Sequence, residues 1–183
     1  SGLFVLGTTG EGPSLSYRLR RELIERSIQL AKGRVPVLVG ITDTAFTESV
    51  NLAKHAADRG AHSVVLAPPY YFPAGQAELI EYLDDLNREL PLPLFLYNMP
   101  GLTKVNFEHE VIRAAMDWKN VIGIKDSSGD LQNTIEIIRQ TPRDKFAVLN
   151  GRDTLILAAL QAGAQGAIPA SCNIAPALCV GIY

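Results

Sequence analysis

The chain has 183 residues, 47% hydrophobic and 20% charged, which suits one globular domain with a buried core and excludes intrinsic disorder. Its formal net charge of −2 and the absence of a basic cluster argue against a nucleic-acid partner. No apolar run approaches the roughly 18 residues of a membrane span, so no membrane partner is expected. Cys172 and Cys179 show neither zinc-type spacing nor a disulfide framework, so we expect free thiols and a cytoplasmic protein.

Short apolar segments alternate with amphipathic helices along the whole chain. Strands are predicted at 3–6, 37–41, 63–67, 94–97, 121–125, 147–150 and 166–169. Helices are predicted at 17–32, 47–59, 76–90, 106–116, 130–139 and 154–162, with a last one within 170–183. Asn106 and Asp130 are predicted to cap the helices that they begin, and Gly60 and Gly163 to end the helices before them. Strands rich in Val, Ile and Leu, spaced as in βαβ units, indicate a parallel sheet covered by helices. No long low-complexity linker interrupts the pattern, so residues 1–183 are predicted to form a single domain.

Two architectures fit this alternation: an eight-stranded barrel missing one unit, and an open doubly wound sheet. Polar residues follow nearly every predicted strand, and in parallel α/β folds these positions share one face. In chain order they are Thr8, Thr9, Glu11, Thr42, Asp43, Tyr70, Tyr71, Tyr97, Asn98, Lys125, Asp126, Asp153, Ser171 and Asn173. An open sheet would concentrate its chemistry at one switch point, so this distribution favours the barrel.

Lys125 ends the apolar strand that begins at Val121, and two interpretations of it are open. A lysine at a strand end can extend its ammonium into solvent. A buried lysine can instead be an amine nucleophile, because desolvation raises the neutral fraction from about one amine in 2,500 at pH 7. The residues of this strand alone do not decide between the two.

The other candidate residues also have ordinary structural interpretations. The loop 7–11 matches neither a P-loop nor G-x-G-x-x-G, but its N–H groups and two hydroxyls could hold a small carboxylate. Tyr97 could be a packing residue or could transfer protons. Asp126 is expected to be solvated or to stand at a helix entry. No His or carboxylate spacing suggests a metal site, and none is predicted.

Four motifs together are similar to one family: GTTGE at 7–11, PPYY at 68–71, YNMP at 97–100 and GIKDSSGD at 123–130. In this order and spacing the chain resembles the dihydrodipicolinate synthase and N-acetylneuraminate lyase family from end to end. The resemblance implies a pyruvate-handling Schiff-base enzyme on a (β/α)8 TIM barrel, present here as a partial barrel. The first βα unit and the C-terminal helices are expected to be missing, so the chain is expected to be a fragment.

The resemblance also implies roles for individual residues. Lys125 would attack the keto carbon, and Tyr97 would pass protons to and from the intermediate. Thr9 and Tyr71 would complete a hydroxyl relay, with Tyr71 contributed by a neighbouring subunit of a homodimer or homotetramer. Thr8 and Thr9 would hold the pyruvyl carboxylate. Further substrate contacts would come from four residues: Gly151, Asp153, Thr154 and Ile168. No cofactor is implied beyond the covalent lysine Schiff base.

The leading hypothesis is an aldolase or lyase that cleaves or forms a 2-keto-3-deoxy acid, with pyruvate and an aldehyde as its other reactants. Synthases of this family usually carry an arginine two residues after the proline of Tyr-Asn-x-Pro, where this chain has Leu102. Sialic acid lyase carries Gly-x-Asp-Glu where this chain has Gly-Arg-Asp-Thr at 151–154, which keeps the aspartate and loses the glutamate. Three alternatives stay open: dihydrodipicolinate synthase, N-acetylneuraminate lyase, and a non-catalytic barrel that binds a keto acid.

Overall fold

The computed structural model describes residues 1–183 and contains one sheet of seven parallel strands. Each strand is short, and the strands match the predicted positions with ends that differ by one or two residues. In chain order they are β1 (Leu3–Val5), β2 (Val37–Gly40), β3 (Ser63–Leu66), β4 (Leu94–Asn98), β5 (Val121–Asp126), β6 (Ala147–Asn150) and β7 (Gly166–Ala167).

The strands pair strictly in chain order, from β1 next to β2 through to β6 next to β7. A doubly wound sheet reverses its strand order at a switch point, and this sheet has no such reversal. The consecutive order is that of a (β/α)8 barrel wall, so the barrel interpretation is confirmed and the open-sheet alternative is wrong.

Helices connect the strands and cover one side of the sheet. They are α1 (Tyr17–Ala31), α2 (Phe46–Arg59), α3 (Gln76–Glu89), α4 (Pro100–Thr103), α5 (His109–Met116), α6 (Leu131–Gln140), α7 (Ile156–Ala162) and α8 (Pro176–Ile182). Asp130 caps α6 as predicted, because its carboxylate accepts a hydrogen bond from Asn133 N at 3.0 Å. No helix is both long and apolar enough to cross a membrane.

Two boundaries near β4 differ from the prediction. The short helix α4 was not predicted at all. Asn106 was predicted to cap α5, but that helix begins at His109. Phe107 is buried, and its N–H donates to Asn98 Oδ1 at 3.1 Å, which holds the segment before α5 against the end of β4. Because of this contact, α5 begins three residues later than predicted. A local capping pattern could not reveal the contact.

The hydrophobic core has two parts, on the two faces of the sheet. The larger part fills the space between the sheet and the helices, with Leu79, Leu83 and Leu86 of α3 fully buried at helical spacing. The smaller part lies on the inner face and contains Val65 and Tyr97, with other half-buried side chains packed around them. Because successive strand residues point to opposite faces, the functional side chains on the inner face alternate with core residues.

Asp43, one of the polar residues expected at the active face, has a structural role. Arg20 donates to its carboxylate at 2.8 Å, and both side chains are only 7% exposed. The same guanidinium also donates to the carbonyl oxygens of Leu15 and Pro13. This buried ion pair joins α1 to the loop after β2, and it removes Asp43 from the set of candidate catalytic groups.

Candidate active site

Lys125 lies on β5 with its side chain on the inner face of the sheet, and its residue is only 7% exposed. Its Nζ is 4.2 Å from the centroid of the Tyr97 ring and 5.0 Å from the centroid of the Phe4 ring. The pairing of β4 with β5 sets Tyr97 directly opposite Lys125. The lysine therefore does not extend into solvent, and the first of its two interpretations is wrong.

Burial changes the acid–base chemistry of this lysine. Desolvation lowers the pKa of the Lys125 ammonium below its ordinary value of 10.5, while Tyr97 and the Asp153 carboxylate oppose that shift. A lowered pKa enlarges the neutral, nucleophilic fraction of the amine near pH 7. No acidic side chain lies within ion-pair distance of the ammonium, so no ion pair holds it in the charged form.

The Tyr97 hydroxyl meets a hydroxyl from the first loop of the chain. Thr8 Oγ1 lies 3.2 Å from Tyr97 Oη, whereas the resemblance had suggested Thr9 for this relay. The side chain of Thr9 is exposed and makes no hydrogen bond with another side chain. The N–H groups of Thr8 and Thr9 donate to no protein acceptor, so both are free to bind an anion such as a carboxylate.

A cavity of about 270 Å³ opens beside this pair. Its lining is mainly apolar, and polar groups come from Thr8, Thr42, Tyr70 and Tyr97. Leu102, which is 57% exposed, forms part of the wall and offers no hydrogen-bond donor. An apolar cavity with a few convergent polar groups is typical of a small-molecule site.

Gly151 packs directly against the lysine side chain. Its N–H donates to Asp126 O at 2.7 Å, which fixes the chain immediately after β6. A Cβ at this position would lie 2.8 Å from Lys125 Cε and 1.9 Å from Ser127 Oγ. Only glycine fits here without movement of Ser127 or Lys125.

Ser127 was not predicted to be part of the site. The residue is 4% exposed, and its hydroxyl makes no hydrogen bond to another protein group. It stands two residues after Lys125, so it lies on the same side of the chain as the lysine. That spacing of two in an extended segment was the signal that could have identified it.

The remaining predicted binding residues follow β6 and β7. Hydrogen bonding from Ser171, by its side chain and its backbone N–H, lowers the pKa of Asp153, and the N–H lies 2.7 Å from Asp153 Oδ1. Asp153 is close enough to Lys125 to affect its pKa. Thr154 is exposed in the turn before α7, and Ile168 is half-buried, with its N–H bonded to Asn150 O at 2.8 Å.

Besides Thr9, Tyr71 is a predicted catalytic residue that the structure does not bring to the others. Its side chain is 74% exposed and contacts Phe72, whose ring lies edge-on at 4.9 Å between centroids. Neither ring reaches the Thr8 and Tyr97 hydroxyls within this chain.

Asp126 was expected to be solvated or to stand at a helix entry, and the first of these alternatives is wrong. The residue is 2% exposed and accepts hydrogen bonds from Asn98, Ser128 and Thr134. It faces the helix layer, on the opposite side of β5 from Lys125.

A second and larger depression, of about 590 Å³, lies outside the sheet between α5 and α6. Charged and polar side chains line it, including Glu108, Arg113 and Asp130. We place the candidate site at the smaller cavity, because Tyr97 and Thr8 line it and the Tyr97 ring contacts Lys125, which is not itself among the lining residues. No tyrosine lines the larger depression.

Comparison with known proteins agrees with this geometry. The family model described as the dihydrodipicolinate synthetase family matches residues 1–183. A probable 2-dehydro-3-deoxy-D-pentonate aldolase of Escherichia coli is 39% identical over 186 residues, covering 100% of this chain and 62% of that protein. The 4-hydroxy-tetrahydrodipicolinate synthase of Bacillus subtilis is 38% identical, covering 94% of this chain and 60% of that protein.

Solved structures show the same fold. The dihydrodipicolinate synthase of Bacteroides thetaiotaomicron is 49% identical with a TM-score of 0.91, over 98% of this chain and 60% of that one. YagE of E. coli K12, solved in complex with pyruvate, is 34% identical with a TM-score of 0.94, over 98% of this chain and 61% of that one. The chain thus spans about three fifths of the length of these relatives. With a family match over all of its residues, it belongs to the dihydrodipicolinate synthetase family.

Proposed function

We propose that the protein is a Schiff-base aldolase that cleaves a 2-keto-3-deoxy acid to pyruvate and an aldehyde. The observation that carries this proposal is the position of Lys125, an amine buried between the Phe4 and Tyr97 rings with no acidic partner. A lysine in such a site is suited to form an imine with a carbonyl substrate.

The first step joins substrate and enzyme. The neutral Nζ of Lys125 attacks the C2 keto carbon, and a proton moves from nitrogen to oxygen to give a carbinolamine. Tyr97 then gives its hydroxyl proton to the departing hydroxide, so that water leaves and a cationic iminium faces a phenolate. The free N–H groups of Thr8 and Thr9 are available for the C1 carboxylate during this step.

The second step breaks the carbon–carbon bond. The Tyr97 phenolate removes the proton of the C4 hydroxyl, the C3–C4 bond breaks, and its electron pair moves into the iminium to form an enamine. The aldehyde leaves, and Tyr97 returns the proton to C3 to regenerate the iminium. Water then adds to C2 while Tyr97 takes one of its protons, and collapse of the carbinolamine frees pyruvate and the amine. The hydrogen bond between Thr8 Oγ1 and Tyr97 Oη keeps the tyrosine hydroxyl placed for these transfers.

The wall of the cavity favours a hydroxylated substrate over an aldehyde with its own carboxylate. Leu102 supplies no donor, and the nearby Lys104 ammonium is bonded to Gly101 O at 2.8 Å. Outside this lining, the exposed Asp153 carboxylate and Thr154 hydroxyl after β6 are suited to hydroxyl groups. The relative named as a 2-dehydro-3-deoxy-D-pentonate aldolase supports the same substrate class.

Borohydride trapping tests the chemistry directly. Incubation with pyruvate and borohydride should give a stable secondary amine, and peptide mass spectrometry should locate it on Lys125. Lys125→Ala should abolish the adduct, while the control Lys104→Ala should retain it. An adduct on another lysine, or none on the wild type, would overturn the proposal.

A second candidate is 4-hydroxy-tetrahydrodipicolinate synthase. The observation that favours it is the name of most of the similar proteins, including the 49% identical structure from B. thetaiotaomicron. The two candidates share Lys125 chemistry and differ in the second substrate. A pyruvate-release screen over 2-keto-3-deoxy acids and sialic acid, run beside condensation with aspartate semialdehyde, separates them. Condensation without cleavage of any sugar acid would replace the first candidate by the second.

We also infer that the working protein is a homo-oligomer. Tyr71 and Phe72 are 74% and 79% exposed and form one aromatic pair, which a water-exposed loop does not require. Insertion into a second copy would bury both rings and could bring Tyr71 to a Thr8 hydroxyl. Sedimentation of the wild type and of Tyr71→Ala with Phe72→Ala should show a loss of assembly in the double variant.

A further inference from the structure

The rung of the sheet next to the Tyr97 and Lys125 pair carries a second pair, Asn98 and Asp126. The register of β4 with β5 places Tyr97 opposite Lys125 and Asn98 opposite Asp126. Because neighbouring strand residues point to opposite faces, the second pair lies on the helix side of the sheet. Both residues are buried, at 0% and 2% exposure.

Hydrogen bonds satisfy this buried carboxylate fully. Asp126 Oδ1 accepts from Asn98 Nδ2 at 3.1 Å and from Ser128 N at 3.0 Å. Asp126 Oδ2 accepts from Thr134 Oγ1 at 2.6 Å and from Ser128 Oγ at 3.1 Å. A buried charge is costly when it lacks hydrogen-bond partners. The four donors around this carboxylate supply those partners, so the charge does not weaken the core.

Asn98 extends the connection in the other direction. Its Oδ1 accepts from Phe107 N at 3.1 Å, so that one amide links β4 to the segment before α5 and to β5. The backbone follows the same path, because Ser127 N donates to Asn98 O at 2.8 Å and Gly151 N donates to Asp126 O at 2.7 Å. The network therefore ties together the carboxyl ends of β4, β5 and β6.

The two inner-face groups that must meet sit one residue away from this cross-link. Tyr97 Oη bonds to Thr8, and the Lys125 Nζ lies 4.2 Å from the Tyr97 ring centroid. A shift of β4 along β5 would move Tyr97 relative to Lys125 by a similar distance. The Asn98 amide joins these strands by a side-chain bond at that level, in addition to the backbone ladder.

We propose that Asn98 and Asp126 are positioning residues, whose side-chain hydrogen bond holds the Tyr97 hydroxyl in register with the Lys125 amine. The proposal rests on the function proposed above and adds two residues that do not touch the substrate. Displacement of a reacting group by about 1 Å can cost about 10²-fold in rate, so a small loss of register is enough to matter.

Asn98→Ala tests the link, with Thr134→Val as the matched control. The first variant removes the bond between β4 and β5 and the acceptor of Phe107 N, while Asp126 keeps its three other donors. The control removes another bond to the same carboxylate, from α6, but leaves β4 joined to β5. We expect Asn98→Ala to lower kcat for pyruvate release about 10²-fold with KM within about threefold. Thr134→Val should lower the Tm comparably and keep kcat within about threefold.

Exchange of the amide and the carboxylate between positions 98 and 126 gives an independent test if Asn98→Ala does not fold. Asn98→Asp places two buried carboxylates about 3 Å apart, as the present bond length shows, and should be the most impaired variant. Adding Asp126→Asn removes the repulsion and restores one amide facing one carboxylate, although the new NH2 group then also faces the Ser128 N–H. We expect the exchanged variant to recover at least about tenfold in kcat over Asn98→Asp. No recovery would overturn the inference.

Crystal structures of the variants separate this inference from the proposed function. In Asn98→Ala the contacts of Tyr97 with Thr8 and Lys125 should lengthen, whereas in Thr134→Val they should stay at 3.2 Å and 4.2 Å. Wild-type protein that traps no pyruvate would defeat the proposed function and leave this geometric result to decide the inference. Equal loss of kcat in the two variants, or unchanged Tyr97 geometry in Asn98→Ala, would show a purely structural role.

Discussion

Gly151→Ala is a small change that should disturb Lys125 without removing any polar group. The new methyl carbon would stand 1.9 Å from Ser127 Oγ and 2.8 Å from Lys125 Cε, and both distances are too short for a side-chain carbon. The backbone cannot easily give way, because the Gly151 N–H is bonded to Asp126 O and the next N–H is bonded to Asn150 Oδ1 at 2.8 Å. The Ser127 and Lys125 side chains must therefore move.

The expected size of the effect follows from these distances. Overpacking a well-filled site costs about 1–3 kcal/mol of stability. To reach an ordinary contact of about 3.5–4 Å, Cε must retreat by roughly 1 Å, and a displacement of that size can cost about 10²-fold in rate. We therefore expect Gly151→Ala to slow pyruvate trapping at Lys125 about 100-fold and to lower the free energy of unfolding by about 2 kcal/mol.

A double variant separates the loss of stability from the slower trapping at Lys125. Ser127→Ala removes the oxygen at 1.9 Å and leaves its Cβ at 3.1 Å, which needs only a few tenths of an ångström of adjustment. In Gly151→Ala with Ser127→Ala, most of the lost stability should return, while trapping stays slow because the contact with Lys125 Cε remains. Urea unfolding and stopped-flow imine formation measure the two quantities. Wild-type trapping in Gly151→Ala would refute the reasoning, as would full recovery of trapping in the double variant.

Three further predictions concern the proton transfers, the amine and the core. Tyr97→Phe deletes only the hydroxyl that meets Thr8, so kcat should fall about 10²–10⁴-fold in a steady-state assay; near-normal turnover would return Tyr97 to a packing role. Because burial lowers the pKa of Lys125, the rate of imine formation should rise with pH through a midpoint below 10.5, and a midpoint at or above that value would contradict the assignment. The same lowered pKa means that the unfolded chain binds the extra proton between the folded pKa and 10.5, so this group makes stability rise with pH across that window. Asp43→Ala leaves the Arg20 guanidinium buried without its partner, so urea unfolding should show a loss of about 3–5 kcal/mol; a loss under about 1 kcal/mol would contradict a buried pair.

The alternation of strands and helices could be predicted because it follows from the local spacing of apolar residues. Apolar runs such as 94–97 and 121–124 mark buried strands whatever they pack against, and Gly60 and Gly163 end their helices with left-handed backbone as expected. The barrel order of the strands followed from polar residues placed after almost every strand. Lys125 and Tyr97 could be named because they end two of those strands.

The partners of those residues could not be predicted, because they depend on register and on long-range packing. Asp126 looks like an ordinary loop carboxylate, and only the pairing of β4 with β5 sets it opposite Asn98 on the helix side of the sheet. The conformation of the loop after β1 brings Thr8 and not Thr9 to Tyr97, a choice between adjacent hydroxyls that no pattern could make. Ser127 was overlooked because serine at a strand end usually signals only a turn.

The surroundings of Lys125 act on its two charge states in opposite directions. The faces of the Phe4 and Tyr97 rings attract an ammonium, and such contacts contribute about 0.5–2 kcal/mol to the charged form. Removal of water acts against the charged form, and it is the main cause of the lowered pKa of Lys125. A full ion pair in place of the rings would reverse the balance and leave the amine protonated. Aromatic faces offer a weaker attraction, which suits a group that must be a neutral nucleophile first and part of a cationic iminium afterwards. Under the proposed function, the apolar ring of Phe4 and the hydroxyl-bearing ring of Tyr97 thus serve the same lysine in different ways, one by excluding water and the other by moving the proton.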